Sequence, residues 1–195
     1  PAGLRRQWVE ELNEHFHLHA HIIERSKWKQ IVAQGPDGLV SLCERGPLVL
    51  SYAFAYREVD ALAEISWDLI VFDEAHRLRN VYRPENRMGR TLRAAFEERN
   101  KLLLSATPLQ NSLLELFGLF SFIDDRLLGT QYSFMQTYVA DSRGWEVTNS
   151  EELSEKISSA MIRTLRRQVA DTIRFTSRHS SLHTFTPFDE EKELY

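Results

Sequence analysis

Cysteine is nearly absent: Cys43 is the only one in 195 residues. A single thiol cannot close an intramolecular disulfide, so the chain reads as intracellular, in the cytoplasm, nucleoid or nucleus, and stabilised by its core alone. Long apolar runs are absent too. No stretch approaches the roughly 20 residues that span a bilayer, and no secretory leader opens the chain, so no membrane partner is expected. Nor is there an excess of positive charge, because 24 basic and 28 acidic residues leave a formal charge of −4. That excludes a protein holding nucleic acid by bulk charge; such a role needs a local basic surface or one supplied by other parts of a larger protein. There is no internal repeat and no low-complexity run.

What is present is an ordinary globular composition, 43% hydrophobic and 11% aromatic. It suffices for one domain with a small appendage. The chain opens on Pro1 and closes on Tyr195 within a helical pattern, FDEEKELY, and is read as a piece of something longer.

Residues 1–139 alternate between two periods. Leu4, Trp8, Leu12 and Phe16 recur every four residues, as on one helix face. LHAHII and LVLSY (48–52) read as strands, and YREVDALAEI as a helix. DLIVFDE is a strand whose continuous apolar run predicts burial on both faces. A helix over 85–99 carries Met88, Leu92 and Phe96; KLLLSAT is another strand, and NSLLELFGLFSFI a core helix. Strands alternating with helices predict an α/β fold, a parallel sheet flanked by helices in three layers. Residues 140–195 read as a separate, mostly helical extension: a polar connection (140–152), a helical stretch (151–170), then an arginine-rich segment. SLHTFTPFDE reads as a strand entering a helix capped near Thr186, with Pro187 in its first turn.

In such sheets ligands sit beyond the carboxyl ends of the strands. Two polar segments fall there: DEAH, with Asp73, Glu74 and His76, and SATPLQN, residues 105–111. Paired carboxylates at the end of a buried strand are costly unless they serve something. Magnesium on a nucleotide triphosphate suits them, because it takes hard oxygen ligands through one or two carboxylates. A second carboxylate can then orient the attacking water.

DLIVFDEAHRLRN followed by NKLLLSATPLQNSLLELFGLFSFID resembles motifs II and III of the Swi/Snf-type ATPases, double-stranded-DNA translocases of helicase superfamily two. PAGLRRQWVEEL resembles their motif Ia, with Arg5 and Arg6 where less polar residues are common, and LSY their next DNA-side motif. The segment LRRQVADTI through TFTPFDEEKELY resembles the exit from the first lobe toward a second. The resemblance implies the first of two RecA-like lobes of an ATP hydrolase with Mg2+ and ATP as cofactors. Asp73 would hold the metal, Glu74 would position the hydrolytic water, and His76 would couple to motif III through Ser105, Thr107 and Gln110. Pro1, Gln7, Ser51 and Tyr52 would face DNA. The implied partners are double-stranded DNA and the second lobe.

The phosphate-cradling pattern G-x-x-x-x-G-K-[ST] is missing; MGRTL (88–92) lacks its first glycine and its lysine. The resemblance places that loop before Pro1 and the arginine finger after Tyr195. Such a finger alone is worth about three to five decades of rate. The 195-residue chain by itself is therefore expected to be inactive, with open sheet edges that lead either to self-association or to a local rearrangement.

Other readings compete. His15, His17, His19 and His21 alternate as zinc ligands on a strand would, but the helical pattern through Phe16 breaks the alignment. Arg163, Arg166, Arg167, Arg174 and Arg178 suit either DNA phosphates or a solvated face, and Trp8 reads as core. For the whole, the alternatives are a restriction-type or RNA-helicase motor, against which PLQN argues, and a degenerate lobe kept as a binding module.

Overall fold

In a computed structural model, which describes residues 2–141, 144–164, 180–182 and 184, the alternating periods become alternating elements. They are α1 (Arg5–Phe16), β1 (His21–Ile22), α2 (Arg25–Val32), α3 (Pro36–Glu44), β2 (Leu48–Val49), α4 (Tyr52–Arg57) and α5 (Val59–Ala63). There follow β3 (Ile70–Phe72), α6 (Arg87–Ala95), β4 (Lys101–Leu103), α7 (Leu113–Ile123), α8 (Gln131–Tyr138) and α9 (Ser150–Ser158). The chain divides into two compact units, Pro1–Ile157 and Ser158–Tyr195. In the second, no helix or strand forms among the described residues beyond the end of α9. Pro1, Arg166, Arg167, Arg174, Arg178, Thr186 and Pro187 lie outside the described residues, and Arg163 is exposed.

The class is α/β and the pairing is parallel. The strands form two short ladders among the described residues, β1 with β2 and β3 with β4. In the second, Ile70, Val71 and Phe72 oppose Lys101, Leu102 and Leu103. Amide bonds prolong it: Leu104 N–H donates to the Phe72 carbonyl and Ala75 N–H to the Leu104 carbonyl. The residues that follow Phe72 and Leu104 therefore emerge side by side.

Side-chain oxygens set several helix starts. Ser51 Oγ accepts from Phe54 N–H at 3.3 Å, Asn86 Oδ1 from Gly89 N–H at 3.0 Å, and Ser112 Oγ from Leu114 N–H at 3.2 Å. The Ser51 cap explains one departure from expectation. LVLSY is strand only at Leu48–Val49, because Ser51 opens α4 and puts Tyr52 in a helix. The helix expected over 85–99 is likewise shorter, beginning after the Asn86 cap and ending at Ala95. The polar connection is pinned rather than free: Val139 bridges Val147, Asp141 Oδ1 accepts from Trp145 and Glu146 N–H, and Gly144 C=O accepts from Leu113 at the start of α7.

The core gathers Trp28, Phe54, Leu62, Phe72, Leu78, Leu92 and Phe122. Phe72 meets Phe122 edge-on with ring centres 4.9 Å apart. Burial of β3 on both faces is not observed: Leu69, Val71 and Leu102 are 52%, 42% and 46% exposed. The face carrying Phe72 is packed, while no described element covers the opposite one. Helix α1 also buries less than its four-residue period predicts. It lies against the short β1 and β2, none of its residues is buried, and Phe16 is 67% exposed.

Helix α7 is buried along almost its whole length and passes directly over the end of the DEAH turn. A Cβ built on Gly118 would stand 1.8 Å from the Arg79 carbonyl oxygen. No side chain can swing away to relieve that clash, since the atom met is backbone. Gly118→Ala is expected to destabilise the fold by about 3 kcal/mol, the upper end of overpacking costs. Thermal melting checks it, with a fall of roughly 6–12 °C expected for a chain of this size; an unchanged Tm would contradict the close approach.

Candidate active site

β3 delivers Asp73 and Glu74 at its carboxyl end. Asp73 is held from three directions. Its Oδ1 accepts from Glu74 N–H at 2.9 Å, its Oδ2 accepts from the Trp8 indole N–H at 2.9 Å, and its carbonyl accepts from the Tyr52 hydroxyl at 2.8 Å. The Tyr52 ring stacks on Phe72 at 6.2 Å. Burial, and then the negative charge of Asp73, push the Tyr52 phenol well above its ordinary range, so it stays a donor. An ionised carboxylate has about four lone-pair sites, so the two N–H bonds leave acceptor capacity for water or a metal's hydration shell.

Glu74 sits in the left-handed region at φ 51° and ψ 45°. A non-glycine residue there carries about 1–3 kcal/mol of strain, which the surrounding structure must over-determine. Its Oε2 lies 3.0 Å from His76 Nδ1, a nitrogen shielded from solvent. That approach is close enough for an ion pair if the ring is protonated, but it misses the directional geometry of a hydrogen bond.

Two further side chains tie this turn to SATPLQN. Arg79 Nε donates to the His76 carbonyl at 2.8 Å, and its terminal nitrogen donates to Gln110 Oε1 and to Glu115 Oε2, each at 3.1 Å. Glu115, on α7, also accepts from the backbone N–H of Gln110 (2.9 Å) and Asn111 (3.0 Å) and from the Asn111 side-chain amide (2.9 Å). Glu115 is buried and Arg79 largely so, with side chains 6% and 11% exposed. Burial by itself pushes the Glu115 carboxyl up, but the bonds from Asn111, Gln110 and Arg79 together outweigh it and hold the group below the usual carboxylate range.

The expected site residues are thus placed as follows. Gln110 joins the DEAH turn through Arg79, and the contact made by the His76 ring is with Glu74. Ser105 Oγ accepts from Thr107 N–H at 3.2 Å in a turn of its own. Gln7 is exposed on α1, Ser51 caps α4, and Tyr52 points at Asp73. Arg79, Glu115 and the polar role of Trp8 escaped the sequence reading. Glu115 left a signal, as the one charge inside an otherwise apolar helix that must find a partner. Among the described residues no group of three or more His, Cys, Asp or Glu is arranged to hold a metal ion, the alternating histidines included. Two adjacent hard carboxylates still fit a magnesium ion that keeps its waters.

A family model of the SNF2-related domain matches residues 1–195. The chain belongs to the SNF2-related family. An uncharacterized ATP-dependent helicase, YqhH, of Bacillus subtilis is 30% identical over 200 residues, covering all of this chain and 32% of that protein. The ISWI chromatin-remodeling complex ATPase ISW1 of Saccharomyces cerevisiae is 30% identical over 143 residues, covering 73% of this chain and 12% of that protein. Among solved structures, a Sulfolobus solfataricus SWI2/SNF2 ATPase core in complex with dsDNA matches with a TM-score of 0.65 at 23% identity, over 87% of this chain and 33% of that one. That likeness establishes the SNF2, RecA-like fold. The chain spans a third or less of the length of these relatives. No helix among the described residues is long and apolar enough to cross a membrane.

The depressed Glu115 carboxyl makes stability depend on pH. Its contribution is fully present above the unfolded value of about 4.3 and is lost as pH falls through the lower folded value. Urea unfolding between neutral and acid pH should show this loss, and Glu115→Gln should flatten it. Parallel profiles for the two proteins would contradict the assignment.

Proposed function

We propose that this chain is the catalytic part of the first lobe of a DNA-stimulated ATPase of Swi/Snf type, a motor that translocates on double-stranded DNA inside the cell. The supporting observation is the convergence of DEAH and SATPLQN at the ends of adjacent parallel strands, cross-braced by Arg79 and Glu115. Bound Mg2+ would neutralise charge on the phosphates of ATP. Asp73 is the residue that would hold it through water, fixed by bonds from Glu74 N–H, Trp8 and Tyr52. Glu74, held in a left-handed backbone conformation, would orient the attacking water. His76, against Glu74, would steer that carboxylate, and the His76–Arg79–Gln110 path would carry the state of the site to motif III. Gln7 and Ser51 stand on the DNA-side segments, and the dsDNA bound by the Sulfolobus relative supports that partner.

Residues 1–139 would form the lobe and 140–195 the extension toward a second lobe. No stretch of the sequence supplies a phosphate loop, so we assign this loop and the arginine finger to further parts of a longer protein. The chain alone would then be silent, and its exposed Leu69, Val71 and Leu102 support self-association.

The test is ATP hydrolysis by the full-length protein and by this chain, each with and without double-stranded DNA. The full-length protein should be DNA-stimulated and fall by at least about 100-fold with Glu74→Gln, the scale of losing general-base assistance. The chain alone should be inactive and sediment above monomer mass. A silent full-length protein, or one indifferent to Glu74→Gln, would refute the motor reading; a strictly monomeric chain would remove the self-association.

A further inference from the structure

Asp73 is the meeting point of two segments far apart in the sequence. Trp8 follows Gln7 on α1, and Tyr52 follows the Ser51 cap of α4. Each brings one donor: the indole N–H to a carboxylate oxygen, the phenol O–H to the carbonyl of the same residue. We propose that Trp8 and Tyr52 are positioning residues through which these two segments set the orientation of Asp73, with α1 as the movable member and Tyr52 as the fixed one. The inference rests on the motor reading for its functional meaning, but its contacts can be tested without it.

The two anchors differ in firmness. Tyr52 is stacked on Phe72, which is itself locked edge-on against Phe122 in the core. Its bond therefore fixes the Asp73 backbone to the rigid body. Helix α1 has no buried residue and rests on two short strands. An indole N–H can only donate, and a bond of 2.9 Å is lost on a shift of about an ångström. Displacement of α1 thus removes one of the two hydrogen bonds on the Asp73 carboxylate, leaving the one from Glu74 N–H, without moving the main chain. A load on α1, such as a nucleic-acid strand engaging the exposed Gln7, would be felt at the carboxylate expected to hold the metal.

Two arms test this. The four tryptophans, Trp8, Trp28, Trp67 and Trp145, give separable indole N–H resonances, and Trp8→Phe identifies the one from Trp8. In this chain Asp73→Asn should shift that resonance and leave those of Trp28 and Trp67, which bond Glu58 and the Leu62 carbonyl, in place. An unmoved Trp8 resonance overturns the proposal whatever the protein does. In the full-length protein, Trp8→Phe and Tyr52→Phe should each raise the Mg2+ concentration for half-maximal hydrolysis roughly three- to tenfold, the scale of one lost ordinary hydrogen bond. Trp8→Phe should also lower the ratio of DNA-stimulated to unstimulated rate. Residues that merely pack would lower Tm and leave both quantities unchanged, which overturns the proposal while leaving the motor reading intact. A full-length protein that hydrolyses no ATP removes the motor reading, while the Trp8 resonance still decides whether Trp8 holds Asp73.

Discussion

A carboxylate buried inside an apolar helix organises this molecule. Taking Glu115 and Arg79 out of water costs several kcal/mol per ion, and the attraction between them offsets that only with good geometry and saturated hydrogen bonding. Both conditions are met. Glu115 accepts from two backbone amides, a side-chain amide and the guanidinium, and Arg79 also donates to the His76 carbonyl and to Gln110. In a low-dielectric site these bonds allow little variation, because any partner left over would be a buried unpaired charge. The DEAH turn and the SATPLQN loop are therefore fixed relative to each other by chemistry rather than by the short β3–β4 ladder alone.

Other features make sense around that brace. Gly118 lets α7 lie on the Arg79 carbonyl, which brings Glu115 within reach of the guanidinium. The strained backbone of Glu74 follows directly on Asp73, whose peptide and carboxylate are pinned by Tyr52, Trp8 and the Glu74 amide. Strain at a single residue persists only where its neighbours are held. Around these residues α7 is buried along most of its length, whereas α1 has no buried residue.

Much of this could be read in the sequence. A four-residue apolar run ending in Asp-Glu identified β3 and the position of its carboxylates, and SATPLQN before an apolar helix placed the second loop. The α/β class and parallel pairing followed from the alternation of periods. What periodicity could not supply were the pairings between distant segments. Trp8 sits at helical spacing and reads as core, and only the fold brings its N–H to Asp73. Tyr52 reads as the end of a strand until the Ser51 cap turns it into a helix. The apolar run at 69–72 implied cover on both faces, whereas Leu69 and Val71 lie open; a run reports what a strand requires, and whether the described elements meet that requirement is a property of the packing.

The measurement that bears most directly on the brace is a double-mutant cycle in this chain, comparing Arg79→Met, Glu115→Gln and the pair by urea unfolding at neutral pH. If the buried pair holds the two loops together, the single losses will not add, and a coupling energy of about 1.5–3 kcal/mol should remain. Additive losses, with coupling below about 0.5 kcal/mol, would show that the two loops are held by the strands and the helix packing instead.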